Sequence, residues 1–250
     1  MKVYDTQRPD ERDQGIAAAA AGARRGDLVV LPTDTLYGLG CDAFKQHAVA
    51  ALFRAKGRGR DMPLVVMVGS RRTFDGLVHR MPKPARALAD AFWPGALTII
   101  VEHAKTLTWD LGDTDGTVAV RMPLHPVALE VLREVGPMAV SSANKTGQPP
   151  AVTVEQAREQ LGYAARVYLD GGPCPASVPS AIVDLTGEAP RLLRAGALAV
   201  PQLREVLPDL LVPDELAADT ARTDADAAAD DAGTAGTAQA PDPAPASAEG

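Results

Sequence analysis

Two periods of apolar residues alternate along the chain and mark out its elements. L-V-V-L at 28–31 is a short apolar run stopped by Pro32, the signature of a buried strand. L-V-V-M-V at 64–68, A-L-T-I-I-V-E at 96–102, T-V-A-V-R at 117–121 and M-A-V at 138–140 repeat that pattern. R-V-Y-L-D at 166–170, A-I-V-D-L at 181–185 and R-L-L-R at 191–194 add three more strand candidates. Helical spacing fills the gaps. Asp5 to Asp27 reads as a first helix: Pro9 suits its first turn, Asp10, Glu11 and Asp13 its positive end, Arg24 and Arg25 its negative end. Helices are also predicted over His47–Lys56, with Val49, Leu52 and Phe53 on one face, and over Pro84–Phe92, Val127–Val135, Thr153–Leu161 and Pro201–Leu207. Thr153 with Gln156 has capping-box spacing. The pattern predicts an α/β fold: one mixed domain built on a large sheet with flanking helices.

Composition changes that picture at one place. From about Pro213 the sequence collapses into Ala, Asp, Thr, Gly and Pro. Such a segment buries too little apolar surface to offset its ordering entropy, so 213–250 is expected to be a disordered acidic tail, leaving 1–212 as the domain. The tail also carries the charge. Its nine acids and single base, Arg222, give −8 of the net −7, so the rest of the chain stands at +1. Net charge therefore says little about the domain's ligand. Cys41 and Cys174 are too few for a disulfide framework and lack partners at zinc-ligand spacing. The N-terminus has no apolar leader-like stretch, and the Ala17–Ala21 run is too short to span a bilayer. A cytoplasmic location without a membrane partner is the expectation.

Candidate chemistry sits where strands end, the place at which α/β proteins bind ligands. P-T-D-T-L-Y-G-L-G at 32–40 puts two hydroxyls and a carboxylate behind a strand. A-K-G-R-G-R-D-M-P at 55–63 spaces Lys56, Arg58 and Arg60 with glycines. That suits a polyphosphate or, equally, a basic helix end, and it is not a Walker A loop. F-W-P-G at 92–95 reads as a packed corner. Arg121 closes a buried strand and needs an anionic partner there, from the protein or from a ligand. S-S-A-N-K-T-G-Q-P-P at 141–150 is dense in hydroxyls and amides. Neither serine lies in a G-x-S-x-G elbow, and none of the four histidines is an evident base, so acyl-enzyme chemistry is disfavoured. Ser180 opens a strand and Arg194 closes one. The inventory fits an anion-rich ligand.

In this order, P-T-D-T-L-Y-G-L-G, K-G-R, F-W-P-G-A-L-T, V-A-V-R-M-P, S-S-A-N-K-T-G, P-S-A-I-V-D-L and L-L-R-A-G resemble the threonylcarbamoyl-AMP synthase family, over roughly Gly15 to Leu207. The resemblance implies a YrdC-like fold, a large twisted mixed sheet with a concave ligand-binding face, in the short form without an extra C-terminal domain. It implies a nucleotidyltransferase that makes threonylcarbamoyl-AMP and pyrophosphate from ATP, L-threonine and bicarbonate, with Mg2+ accompanying ATP and no metal ligand from protein side chains. The product would pass to a tRNA threonylcarbamoyl-transfer complex for t6A modification. By the same resemblance, Lys56 and Arg58 are catalytic and meet the ATP phosphates. Met62, Thr117, Asn144, Val152 (or Thr153) and Arg194 also contact ATP, and Thr35, Arg121, Ser142 and Ser180 contact threonine and its carbamate. Three positions leave the common pattern: Gly59 replaces a proline, Met62 an Asn or Lys, and Met67 a His. The alternative for this fold is a non-enzymatic double-stranded RNA-binding module, and weak RNA binding is compatible with either reading. A third, a carbamoyl-transfer domain of a larger maturation enzyme, would need Cys clusters that the chain lacks.

Overall fold

Ten strands order themselves as β1-β8-β2-β3-β7-β4-β6-β5-β9-β10 in one mixed sheet of the computed structural model, which describes residues Met1–Leu216. The strands are β1 Lys2–Asp5, β2 Val29–Leu31, β3 Gly38–Asp42, β4 Val65–Met67 and β5 Leu97–Glu102, then β6 Thr117–Arg121, β7 Met138–Ser142, β8 Val167–Asp170, β9 Ala181–Asp184 and β10 Arg191–Arg194. β3, β7 and β4 run antiparallel in the centre, β4 and β6 are parallel, and β5 pairs antiparallel with β6 and parallel with β9. Met1–Pro213 form one compact unit. The expected disordered tail lies, apart from its first four residues, outside the described residues.

The helices that flank the sheet are α1 Pro9–Arg25, α2 Gln46–Lys56, α3 Arg71–Leu77, α4 Lys83–Phe92, α5 Pro126–Val135, α6 Val154–Leu161 and α7 Val200–Val206. On one face, Ile16, Ala19 and Ala23 of α1 and Val127, Val131 and Leu132 of α5 pack against Val29, Leu31, Met138, Val140, Val167 and Leu169. The alanines on the inner face of α1 let it lie close to the strands, and at Gly15 any Cβ would come within 2.8 Å of the Tyr4 side chain. On the other face Phe74 of α3 packs edge-on against Trp93, whose indole N–H donates to the Leu97 carbonyl at 2.7 Å. Trp93 is thus a buried corner, as its sequence context implied.

Three elements depart from the sequence expectation. The first helix starts at Pro9 and not Asp5, because Lys2–Asp5 pair as a parallel edge strand with β8. Gly38–Asp42, read as part of a loop, is a fully paired strand between β2 and β7. Its glycines mark close packing: a Cβ at Gly38 would stand 2.8 Å from Val140 Cγ1. Arg71–Leu77 is a helix that had no apolar stripe to announce it, although Ser70 caps it by accepting from the Thr73 amide.

Candidate active site

Beyond the reach of α1 and α5, the same sheet face becomes the floor of a cavity of about 480 Å³. Alternate residues of five strands supply it: Val65 and Met67, Thr98 and Ile100, Ala119 and Arg121, Val140 and Ser142, and Ile182 with Ser180 just ahead of it. Period-two alternation thus sends one residue set of each strand to this side. Loops after β2, α2 and β7 build the walls with Thr33, Thr35, Tyr37, Arg58, Pro63 and Asn144, joined by Ser141 from the end of β7, and Arg194 closes the β10 side. No carboxylate is among the lining residues.

Among the cations that line the cavity Arg121 is the most deeply set, with 4 % of its surface exposed. Its Nη2 donates to Asp34 Oδ1 at 2.7 Å, Nη1 to Thr35 Oγ1 at 2.8 Å and Nε to the Gly95 carbonyl at 3.0 Å. The question left open by the sequence is answered by Asp34, which also accepts from the Leu124 amide. Burial pushes the Arg121 guanidinium below its ordinary range and Asp34 pushes it back up. The three bonds fix the orientation of the guanidinium beside the cavity.

Lys56 ends α2, where Gly57 (φ 59°) turns the chain in the left-handed conformation. Its ammonium donates to the Ser142 carbonyl at 2.6 Å and to Asn144 Oδ1 at 2.9 Å, with Ser142 Oγ at 3.3 Å. Desolvation, and then the charge of Arg58, bring its pKa down to about 8. Arg58 is held by the Met62 and Pro63 carbonyls and by Ser141 Oγ at 3.0 Å. Arg194 donates to the Ser180 carbonyl and to Ser180 Oγ, which in turn shares a hydrogen bond with Thr98 Oγ1 at 2.8 Å. Burial first, then Arg121 and Arg58, lower the Arg194 pKa. Arg58 thus weighs on Lys56, and Arg121 and Arg58 weigh on Arg194, a cost that an anionic ligand would relieve.

The structure brings Thr35, Arg58, Arg121, Ser142, Asn144, Ser180 and Arg194 to one cavity, with Lys56 bonded directly to two of them. Besides Lys56, three candidates lie outside the lining. Met62 is exposed and offers its carbonyl to Arg58. Thr117 stands at the start of β6 and donates to the Thr114 carbonyl. Val152 is tied by its amide to Gln156 and by its carbonyl to the Cys174 amide. Sequence reasoning had assigned no role to Asp34, Thr98 or Ser141. Thr98 had one signal, a lone hydroxyl inside an apolar strand, and the other two stood inside quoted motifs.

The family model Sua5_yciO_yrdC, described as telomere recombination, matches residues 22–196. A Mycobacterium leprae protein is 60% identical over 206 residues, covering 82% of this chain and 94% of that one. The threonylcarbamoyl-AMP synthase of Bacillus subtilis is 38% identical over 198 residues, covering 78% of this chain and 57% of that protein. Pyrococcus abyssi Sua5, crystallised in complex with L-threonine, superposes with a TM-score of 0.76 at 36% identity, covering 79% of this chain and 58% of that one. The chain thus spans nearly all of the mycobacterial relative and less than two thirds of the two longer ones. It belongs to the Sua5/YciO/YrdC family.

Proposed function

We propose that this chain is an L-threonylcarbamoyladenylate synthase, a nucleotidyltransferase using ATP, L-threonine and bicarbonate. The observation that carries the reading is a cavity lined by Arg58, Arg121 and Arg194 and by no carboxylate, with Lys56 bonded to its Ser142 and Asn144. Such a site is built for a ligand with several negative charges. Family membership and a threonine-bound relative support the identity of the ligands.

In this scheme the threonine amine and bicarbonate condense to a carbamate with loss of water. A carbamate oxygen then attacks the α-phosphorus of ATP. The bond from that phosphorus to the bridging oxygen breaks, and pyrophosphate leaves with the electron pair. Negative charge concentrates on the phosphoryl oxygens during transfer, and fixed cations stabilise it there without reorganising. Lys56, Arg58 and Arg194 take the triphosphate side. Arg121, held by Asp34 and Thr35, takes the threonine side with Ser142 and Ser180. The apolar floor of Val65, Met67, Val140 and Ile182 limits water around a carbamate that water would destroy. The lining offers hydroxyls and cations, so a divalent magnesium ion has no protein carboxylate to bind and would arrive on the triphosphate as part of the substrate. None of the described helices is long and apolar enough to cross a membrane. A cytoplasmic enzyme supplying a tRNA threonylcarbamoyl-transfer complex is the corresponding cellular role.

The test is pyrophosphate release by the purified chain with Mg·ATP, threonine and bicarbonate. Release should require both threonine and bicarbonate. Tight, salt-sensitive binding of double-stranded RNA without such turnover would favour the RNA-binding reading instead.

A further inference from the structure

The segment that carries Arg58 is poor in intrinsic restraint. Gly57 and Gly59 flank the arginine, and the described hydrogen bonds within 57–63 are few and one is long, Met62 N–H to the Gly59 carbonyl at 3.4 Å. A second segment, Trp109–Asp113, lies along it and grips Arg60. Asp110 takes the Arg60 guanidinium with both oxygens, at 2.6 and 3.1 Å. Asp113 Oδ1 stands 3.5 Å from Arg60 Nε, and the Asp113 amide donates to the Arg60 carbonyl at 2.9 Å. Between them the Leu111 carbonyl accepts from the Leu64 amide at 3.0 Å. Gly112, at φ 103°, lies so close that a Cβ there would meet the Arg60 carbonyl at 2.8 Å.

The strap is itself anchored from the far side. Trp109 stacks on Phe44 with ring centroids 5.6 Å apart, and His103 meets the same indole edge-on at 5.6 Å. Leu111 is buried. Arg60 is therefore held from a second segment by side chain and by backbone, while the guanidinium of Arg58, two residues away, donates to the Met62 and Pro63 carbonyls of its own loop and to Ser141 Oγ. A planar arginine fork on a carboxylate fixes direction as well as distance.

We propose that Arg60, clamped by Asp110 and Asp113, is a positioning residue that sets where the Arg58 guanidinium sits in the cavity. The inference rests on the synthase reading of that cavity. It assigns the Trp109–Asp113 strap the task of restraining a loop whose glycines leave it free to wander. Arg60 touches no substrate in this account; its effect reaches the nucleotide through Arg58.

The experiment is a double-mutant cycle on Arg60→Ala and Asp110→Ala, with Arg60→Lys as the conservative variant. KM for ATP and kcat are measured in the pyrophosphate assay, and amide hydrogen exchange is followed over residues 58–64. Each alanine variant should raise KM for ATP about two- to fivefold, the span open to an exposed ion pair of good geometry. Their kcat should stay near that of the parent, and exchange at 58–64 should quicken. The double variant should cost no more than Arg60→Ala alone, because Asp110 has no guanidinium left to hold once Arg60 is gone. Arg60→Lys, keeping the charge without the fork, should fall between. Additive effects, an unchanged KM, or unchanged exchange would overturn the proposal. If the parent chain releases no pyrophosphate, the synthase reading fails on its own account. ATP affinity by calorimetry then replaces KM, and the same cycle still decides whether the clamp positions Arg58.

Discussion

Two halves of one sheet face obey the same alternation and do opposite things. Around β2, β7 and β8 the inward residues are Val29, Leu31, Met138, Val167 and Leu169, and helices α1 and α5 cover them. Around β4, β5, β6 and β9 the inward set mixes apolar residues with Thr98, Arg121 and, just ahead of β9, Ser180, and none of the described helices lines the cavity above it. The covered half gains from apolar burial and the uncovered half carries converging cations. Stability and ligand binding should therefore separate by position along the sheet. Val140 and Met67 belong to both halves and form the seam.

The sharpest way to break that comparison is Arg121→Ala. It should cut pyrophosphate release by about a hundred- to a thousandfold, the range for removing one fixed donor that holds the reacting group in place. It should also cost stability, about 3 kcal/mol, because Asp34 is left buried with its charge unpaired. Steady-state kinetics and urea unfolding check the two halves of that expectation. On the covered side, Leu132→Ala removes a side chain that is 1 % exposed, for about 2–5 kcal/mol of stability. Its KM values should match those of the parent at a temperature where it remains folded. Equal kinetic damage from the two substitutions would dissolve the distinction.

The seam is probed by Gly38→Ala. The new methyl would press on Val140, at a cost of about 1–3 kcal/mol in unfolding experiments, unless Val140 shifts toward the cavity. The double variant Gly38→Ala with Val140→Ala should recover part of that loss.

Smaller again is a pH effect. Lys56 titrates at about 8 in the fold against 10.5 ordinarily, so the folded chain holds this proton less tightly than the unfolded one. The penalty of keeping Lys56 charged is full below about pH 8 and is relieved as pH rises from there toward 10.5. A triphosphate favours the charged form, so ATP binding should take up a proton near pH 8, and affinity should weaken as pH climbs past that value. Calorimetry in buffers of different ionisation heat measures the uptake. No proton uptake near pH 8 would remove Lys56 from the phosphate side.

Much of this was legible in the sequence, for identifiable reasons. Strands such as Leu97–Glu102 and Thr117–Arg121 announced themselves because alternation and β-branched residues coincide there. Gly38–Asp42 did not, because a strand made of small residues to fit beneath Val140 has the composition of a turn. Lys2–Asp5 is four residues long and pairs with a strand more than 160 positions away, so nothing local marks it. In the site, the ordered motifs brought out every cation. They could not bring out the Asp34–Arg121 pair or the Thr98–Ser180 contact, which join residues 87 and 82 positions apart. Nor could they place Thr117 and Val152, whose backbone and hydroxyl bonds keep them outside the cavity wall.

The most direct test of the account is the fate of bicarbonate. The purified chain is supplied with Mg·ATP, L-threonine and 13C-bicarbonate, and the products are resolved by mass. The expected product is an adenylate that carries both threonine and the 13C label, formed in step with pyrophosphate. An unlabelled threonyl adenylate, or ADP and phosphate in place of pyrophosphate, would contradict it.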